Sequence, residues 1–316
     1  MLYINDFCSI GPMGVFRPDT NISNWETPGS SDNGLLLTAS EPDYKEWISP
    51  MKQRRMSKPV RMAVAAMKMC FGTEIPQSIH VGSAFGQLSD SQQFLQTMVN
   101  SGDGALPPTA FIQSTHNTVS GALAIEAGAH GHNFTLVNAG HSFEDAFYDA
   151  VLSGMELSPG GHQLLGAVDE MIPVAARAIQ AGNCATGVLG EGCTVFKTTT
   201  RRETGTLGCV QAFEKTITPA GDGMIHRHFE DFLKAGQLQI RETDLWLCGD
   251  ACANALQPFF GQRPAIDYRR FCGDYPTNSA FALAYAFSQL HLHSEARRAW
   301  LIVNYGTYRS FWLIEK

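Results

Sequence analysis

The stretch that decides the fold is Asn133-Phe-Thr-Leu-Val-Asn-Ala-Gly-His-Ser-Phe-Glu-Asp-Ala146. Its apolar part, Phe134 to Val137, predicts a short strand, and the residues around Gly140 predict a tight turn. A helix is predicted to begin near His141 or Ser142. A strand, a sharp turn and a helix form a nucleophile elbow, which holds a reactive side chain at a helix N-terminus. The apex here is Gly140, which has no side chain. Either Ser142 supplies the nucleophile, or this is an enzyme fold that has lost its catalytic side chains.

Strands and helices alternate around this stretch. The predicted strands and helices in its neighbourhood are Ser78–Ala84, Ser89–Val99, Gln113–Gly128, Phe143–Leu152 and Leu164–Glu170. This alternation predicts an α/β fold with a largely parallel sheet. Further along, the predicted elements are a helix at His226–Leu233, a strand at Asp244–Gly249, a helix at Thr277–Leu292 and a hairpin of Trp300–Asn304 with Ser310–Ile314. Residues 182–206, rich in glycine and threonine, give no regular pattern.

The composition sets the class of protein. The chain has 316 residues, of which 44% are hydrophobic and 17% are charged, as in globular proteins with a large core. The net charge of −7 and the absence of a long basic run argue against nucleic acid or an anionic membrane surface as the main partner. No apolar window is long enough to span a bilayer, and the first residues do not resemble a signal peptide. We therefore expect a cytoplasmic protein whose eight cysteines are reduced and mostly buried.

In their order and spacing, these features resemble the β-ketoacyl synthases of the thiolase-like superfamily over nearly the whole chain. His80-Val-Gly-Ser-Ala-Phe-Gly86 matches the strand that ends in the family's glycine-rich loop. The helix from Ser114 is similar to the one that precedes the nucleophile strand. The final Asn304-Tyr-Gly-Thr-Tyr-Arg309 is similar to the glycine-rich hairpin that closes the family's active site.

The resemblance implies the fold and its division. It predicts one thiolase-like domain over residues 1–316, with helices and sheets in α/β/α/β/α layers. It also implies two pseudo-symmetric halves, an N-terminal half of about residues 1–175 and a C-terminal half of about residues 205–316.

The family's chemistry requires a cysteine at the elbow, two histidines on C-terminal loops and a lysine shortly before the second histidine. By the resemblance, the cysteine position falls on Gly140, the first histidine on Gly249, the second on Asp274 and the lysine on Arg269. Loss of one member of a cooperating triad typically lowers the rate by roughly three to six decades. We therefore predict no catalytic residues and no condensing activity of the chain by itself.

The resemblance also implies partners. Relatives without the triad are the chain-length factors of type II polyketide systems and ketosynthase-like proteins of aryl polyene and flexirubin pigment pathways. These pair with an active ketosynthase, so we expect a heterodimer that works with acyl carrier protein in polyketide or fatty acid synthesis, without a cofactor. In the family the strand before the elbow pairs across the dimer axis. The predicted interface or acyl-pocket residues are His116, Asn117, Asn133, Phe134, Thr135, Leu136, Val137 and Asn138. A stand-alone homodimer that binds acyl chains or carrier protein is the alternative.

A serine hydrolase is a second alternative. Gly140-His-Ser142 matches the first half of G-x-S-x-G, with Ser142 as nucleophile. The motif requires a small residue two positions later, where Glu144 stands. Asp250 and a C-terminal histidine, His291 or His293, would have to complete the triad. In the simpler interpretation, His141 and Ser142 cap the helix; likewise, His116 and Asn117 are capping residues unless they face the pocket.

Metal binding is the remaining possibility that the sequence raises. Three His-x-His pairs occur: His130/His132, His226/His228 and His291/His293. This spacing places both rings on one face only in a strand, whereas the last two pairs lie in predicted helices. Cys248-x-x-x-Cys252 lacks a second cysteine pair, and a thiol on a buried strand such as Cys248 is usually inert. We predict surface histidines and no metal.

Overall fold

The computed structural model describes residues 1–31, 34–101, 108–182, 187–218, 222–260 and 264–316. The strands are Leu2–Gly11 (β1), Gly14–Phe16 (β2), Leu36–Leu37 (β3), Ser78–Gly82 (β4), His132–Leu136 (β5), Gln163–Asp169 (β6), Leu189–Gly190 (β7), Gly192–Thr199 (β8), Gly208–Ile217 (β9), Leu245–Cys248 (β10), Arg298–Tyr305 (β11) and Tyr308–Glu315 (β12). The α-helices are Pro50–Gln53 (α1), Lys58–Phe71 (α2), Leu88–Ser101 (α3), Pro108–Gln113 (α4), Thr118–Ala127 (α5), Ser142–Ser153 (α6), Pro173–Ala181 (α7), Asp222–Ala235 (α8), Asp250–Leu256 (α9), Arg269–Cys272 (α10) and Asn278–Leu292 (α11).

One large mixed sheet runs through the molecule in the order β10-β11-β12-β9-β1-β8-β6-β4-β5. The strand order of one half of the sheet is β5-β4-β6-β8-β1. The other half has the matching order Ile266-β10-β11-β12-β9, in which an isolated bridge at Ile266 stands where β5 stands in the first half. In both halves the first two pairings are parallel and the next two are antiparallel. The two halves meet where β1 pairs with β9, over three residue pairs from Leu2↔Val210 to Ile4↔Gly208.

Three apolar cores separate the layers. Residues of α2, α5 and one face of the first half-sheet form one outer core. Residues of α8, α9 and β10 to β12 form the other outer core. Between them, the inner faces of both half-sheets enclose α6 and α11. Because α11 lies between two apolar surfaces, its residues from Asn278 to Leu290 are buried on every side. The layered α/β fold is therefore confirmed. The prediction of a largely parallel sheet holds only for β5, β4 and β6 and for β10 and β11, because the central strands from β6 to β12 pair antiparallel.

The predicted elements agree with the structure in most places. The strand before the elbow begins and ends slightly earlier than predicted, at His132 and Leu136, and the closing hairpin forms as expected. The helix predicted over Gln113–Gly128 begins later, at Thr118 (α5), and a separate short helix, α4, ends at Gln113. The region without a pattern, residues 182–206, contains β8, a buried strand between β1 and β6. None of the helices in the described ranges is both long and apolar enough to cross a membrane.

Candidate functional site

The turn between β5 and α6 has the geometry of an elbow. A short 3-10 turn, Ala139–His141, joins the strand to the helix, and Ala139 has a φ of 46°, in the left-handed region. The helix then passes directly over β4, where a Cβ on Gly82 would lie 2.5 Å from the backbone of Ser142. A strained backbone immediately before Gly140 is typical of a site that presents a side chain. The glycine presents none.

The closing hairpin fills the space above the elbow. A Cβ added to Gly140 would lie only 2.7 Å from the Cβ of Tyr308, so the ring of Tyr308 occupies the place that a reactive side chain would need. The neighbouring His141 ring stacks edge-on against Tyr308, and its Nε2 lies 3.0 Å from the carbonyl oxygen of Arg309. Burial lowers the pKa of His141, which favours a neutral ring that donates to this carbonyl. The elbow is therefore closed by direct packing.

The Arg269–Asp274 ion pair lies at Gly249 and Asp274, the two positions that the resemblance assigns to the family's histidines. A Cβ on Gly249 would lie 2.2 Å from Nε of Arg269, so the guanidinium stands where a side chain at 249 would project. Nη2 of Arg269 donates to Oδ1 of Asn304, and Nη1 lies 3.7 Å from Oδ2 of Asp274. The Asp274 carboxylate also accepts from Nδ2 of Asn278 at 3.2 Å. Burial raises the pKa of Asp274, and the charge of Arg269 opposes the shift.

A cavity of about 440 Å³ opens beside this ion pair. Its described lining includes Pro28, Leu37, Val188, Arg269 and Asp274. The cavity offers guanidinium donors and carboxylate acceptors. Its described lining contains neither a thiol nor an imidazole, the two groups that the resemblance requires for condensation.

The glycine-rich loop after β4 is held by a buried carboxylate. Oδ1 of Asp169 accepts from the amides of Ala84 at 2.9 Å and Phe85 at 2.7 Å and from the Ser83 hydroxyl at 3.2 Å. Oδ2 accepts from the hydroxyl of Thr277 at 2.8 Å, at the start of α11. Burial raises the pKa of Asp169 to about 6, and these four donors oppose the shift. The sequence predicts only an acid at the end of a strand and does not reveal this role.

The predicted interface residues lie along an exposed sheet edge. β5 ends the sheet, and its outer edge has no neighbouring strand among the described residues. Asn133 donates to the carbonyl of Ser120 at 3.1 Å, and the hydroxyls of Thr135 and Ser120 are 2.7 Å apart, so polar side chains hold β5 against α5. Phe134 and Val137 are 47% and 53% exposed. Leu136 is half-buried, and Asn138 donates to Oδ2 of Asp145 at 2.8 Å.

The two residues before α5 lie close to the glycine-rich loop. The His116 ring packs against Gly86, where an added Cβ would lie 3.1 Å from it, and its Nε2 lies 3.2 Å from the carbonyl oxygen of Ala84. Asn117 occupies the N-cap position of α5 without a capping hydrogen bond from its side chain. His116 thus fixes the loop, and the structure does not place either residue against the cavity beside Arg269.

Ser142 lacks the surroundings of a hydrolase nucleophile. It is fully buried, donates to the carbonyl of Ala139 at 2.8 Å and accepts from the amide of Asn138 at 2.9 Å. These bonds hold the turn before the helix rather than the amides of its first turn. No histidine is among the described partners of its hydroxyl, and the side chain of Asp250 lies outside the described residues.

The histidine and cysteine pairs have different outcomes. His226 and His293 lie near glutamates at the surface, at 3.9 and 3.7 Å. Cys248 and Cys252 are both buried, and Sγ of Cys252 donates to Oδ1 of Asn304 at 3.0 Å. His132 lies beside His80 and Asp149, which the sequence does not bring together with it.

Glu144 is a fully buried acid between the elbow helix and the hairpin. Its Oε1 accepts from the hydroxyl of Ser310 at 2.8 Å, whereas Oε2 has no hydrogen-bond partner among the described residues. Burial raises its pKa to about 7, and the Ser310 hydrogen bond opposes the shift. A raised pKa means that the folded state favours the protonated acid, so its ionisation opposes folding progressively as the pH rises from about 4.5 past 7.

Replacement of this acid should therefore stabilise the protein at high pH. We expect Glu144→Gln to raise the free energy of unfolding relative to the parent by on the order of 3 kcal/mol at pH 8, and by little at pH 4. Urea denaturation at both pH values measures the difference. Glu242→Gln, at an exposed position, is the control. A Glu144→Gln effect that does not change with pH would contradict this account.

Comparison with known proteins agrees with the fold. The family model for the N-terminal domain of β-ketoacyl synthases matches residues 25–201, more than half of the chain. A search of the curated proteins finds no match. The ishigamide ketosynthase/chain length factor has a similar structure, with 15% identity, a TM-score of 0.77 and 99% of each chain covered.

Two further structures have the same fold. A β-ketoacyl synthase from Burkholderia phymatum has 12% identity, a TM-score of 0.75 and coverage of 100% of this chain and 99% of that one. A chain from the complex of a ketosynthase (ApeO) with its chain length factor (ApeC) from Xenorhabdus doucetiae has 14% identity and a TM-score of 0.73, with 99% of this chain and 97% of that one covered. At these identities the likeness establishes the thiolase-like fold, and the family model establishes the membership. The chain belongs to the β-ketoacyl synthase family.

Proposed function

We propose that this chain is a non-catalytic member of its family that pairs with an active ketosynthase in type II polyketide or fatty acyl synthesis, in the manner of a chain length factor. The observation that carries the proposal is the packing of Tyr308 onto Gly140, which leaves no space for a thiol at the elbow. The Arg269–Asp274 ion pair supports it, because it takes the place of the histidine and lysine side chains that condensation needs.

The exposed edge of β5 supports the pairing. An unpaired strand edge presents backbone donors and acceptors to any neighbouring strand, and proteins usually cover or interrupt such edges. Here Phe134 and Val137 add exposed apolar surface, and Ile125 of the adjacent α5 is 81% exposed. Phe134 and Val137 lie at or just after β5, and Ile125 lies on α5, which β5 contacts through Asn133 and Thr135. A partner strand that extends the sheet would bury this surface and satisfy the backbone groups.

Two of the similar structures indicate the kind of partner. One is a ketosynthase in complex with its chain length factor, and another, AntDE:AntF, is a type II polyketide synthase acyl-carrier protein in complex with its ketosynthase. By analogy we assign to this chain an active ketosynthase as the direct partner and an acyl carrier protein as the partner of the pair. Its contribution would be to shape the space for the growing chain, as its aryl polyene-type relatives do.

Co-expression with a ketosynthase encoded beside it tests the proposal. We expect a 1:1 complex, and Phe134→Glu should weaken it by about 30-fold or more, since loss of a central apolar anchor together with a buried charge costs 2 kcal/mol or more. Analytical ultracentrifugation measures the dissociation constants. Val174→Glu is the matched control, because Val174 is 50% exposed on α7, a helix whose buried residue Ala176 packs with Leu36 and Leu189.

The outcomes separate this proposal from its alternatives. Separate monomers and an unchanged product length would contradict the pairing. A homodimer that Phe134→Glu dissociates would indicate a stand-alone protein that binds acyl chains or carrier protein. Ester hydrolysis that disappears in Ser142→Ala would favour the hydrolase.

A further inference from the structure

Two histidines and an aspartate from three different elements converge beneath the second half of α6. His80 lies on β4, His132 on β5 and Asp149 on α6. Nδ1 of His80 is 2.6 Å from Oδ2 of Asp149, and Nε2 of His132 is 3.2 Å from the same oxygen. One ligand atom of each residue lies within 4.8 Å of the other two.

The strand register brings these side chains together. β4 and β5 are parallel, with Ser78 opposite His132, so His80 lies two residues further along the neighbouring strand and its ring centroid is 5.2 Å from that of His132. Asp149 lies two helical turns beyond the elbow and reaches down to both rings. His132 is at the start of β5, whereas the elbow follows its end. The cluster is thus separate from the elbow and from the ion pair at Arg269.

The cluster has two further features of a metal site. Nε2 of His80 lies 2.9 Å from the hydroxyl oxygen of Ser78, which can accept a hydrogen bond from Nε2–H, so that Nδ1 carries no proton and can bind a cation. A cavity of about 470 Å³ lies next to it, lined by Ser78 and His132 together with residues at the end of α6. The cavity provides a path for an ion and a place for a water ligand.

We propose that His80, His132 and Asp149 bind a divalent transition-metal ion, with Zn²⁺ as the preferred ion. Two imidazoles and one carboxylate are a common ligand set for Zn²⁺, whose bonds to nitrogen and oxygen are about 2.0–2.2 Å long. Ligand atoms this close reach one ion with small side-chain rotations. The fourth position faces the cavity and holds water.

The same distances also suggest a Ser78–His80–Asp149 catalytic triad, a proton relay in which Ser78 would be the nucleophile of acyl transfer. The observations favour the metal site over this relay. Acyl transfer requires free amide donors to stabilise an oxyanion. Ser78 lies within β4, which pairs with β5 on one side and β6 on the other, so its backbone is committed to the sheet. The relay also gives no role to His132, which converges on the same carboxylate oxygen.

The test is metal binding by the full chain and matched variants. Protein stripped with a chelator is titrated with Zn²⁺ alone by calorimetry, and the bound metal is counted by mass spectrometry. We expect one equivalent in the parent and in His130→Ala, the control at the other, exposed histidine of the pair. Binding by His132→Ala and Asp149→Asn should be weaker by more than about 100-fold, beyond the loss that outer-shell changes cause. The buried His80 is left intact to preserve folding.

A second readout keeps the test decisive. Zn²⁺ should raise the melting temperature of the parent and of His130→Ala, and leave that of the other two variants unchanged. Co²⁺ should give a visible absorption band typical of a tetrahedral site. The proposal is overturned if the parent binds no stoichiometric metal, or if His132→Ala binds Zn²⁺ as tightly as the parent. Metal-independent ester hydrolysis that disappears in Ser78→Ala would assign the relay instead.

Discussion

Asp169→Ala should lower the free energy of unfolding by about 4 kcal/mol or more. The substitution removes the acceptor for two backbone amides and two hydroxyl groups around the glycine-rich loop. Each buried donor without a partner costs about 1–3 kcal/mol, and only the hydroxyls can rotate to find another. The loop should also separate from the start of α11, because Asp169 accepts hydrogen bonds from both segments. Guanidinium denaturation measures the loss.

Asp169→Asn is the matched variant for this prediction. Its oxygen can still accept from the amides of Ala84 and Phe85, and its NH₂ group can donate to the hydroxyl of Thr277, so we expect a loss of only about 1 kcal/mol near pH 5. Because the pKa of Asp169 is raised to about 6, ionisation opposes folding increasingly as the pH rises from about 4 past 6. The difference between parent and Asp169→Asn should therefore shrink towards pH 8. Equal losses in the alanine and asparagine variants would contradict the role of the carboxylate as an acceptor.

Gly140→Cys should destabilise the protein without creating a condensing enzyme. The new Cβ would lie 2.7 Å from the Cβ of Tyr308, and overpacking of this kind typically costs about 1–3 kcal/mol. The thiol would also lack the two histidines of the family's triad, since the resemblance places Gly249 and Asp274 at those positions. We expect no acyl-enzyme with a carrier-protein thioester and a lower melting temperature.

A double-mutant cycle isolates the contact between the hairpin and the elbow. Tyr308→Gly removes the clashing Cβ, so Gly140→Cys should cost clearly less in that background than in the parent. Gly29→Cys is the control for adding the same side chain, because a Cβ at Gly29 meets nothing within 4 Å. If Gly140→Cys has the same free energy of unfolding as the parent, the elbow has room for a nucleophile. The main support for a non-catalytic role would then be lost.

The individual strands and helices were largely predictable from local patterns, whereas their arrangement in layers followed from the family resemblance. The elbow, the strand at Asp244, the buried helix α11 and the closing hairpin each have an apolar pattern or a turn that specifies them. The sequence does not reveal β8, because polar and apolar residues do not alternate along it as they do in a strand with one exposed face. Thr194, Phe196 and Thr198 face one side and Cys193, Val195 and Lys197 the other, and nearly all are buried. A strand with both faces buried has no polar side to reveal its period.

The site was predictable only in part, because its decisive features are contacts between distant segments. The bare apex at Gly140 is visible in the sequence, but its closure by Tyr308 is not. The Arg269–Asp274 pair requires the loops to fold before the two charges meet. The partners of His132 are likewise 52 residues before it and 17 after it in sequence number, on different elements. No spacing rule connects such residues, and only the strand register and the course of α6 place them together.

The division of the sheet has a consequence for synthesis on the ribosome. All the strands of the first half-sheet lie before residue 200, whereas α11, which covers its inner face, begins at Asn278. We expect the first half to assemble while the second is still untranslated, with the inner apolar face of β1, β6 and β8 covered by α6 and not yet by α11. Nascent chains arrested between these points should bind chaperones that hold exposed apolar surface, and release from the chaperone should coincide with the arrival of α11.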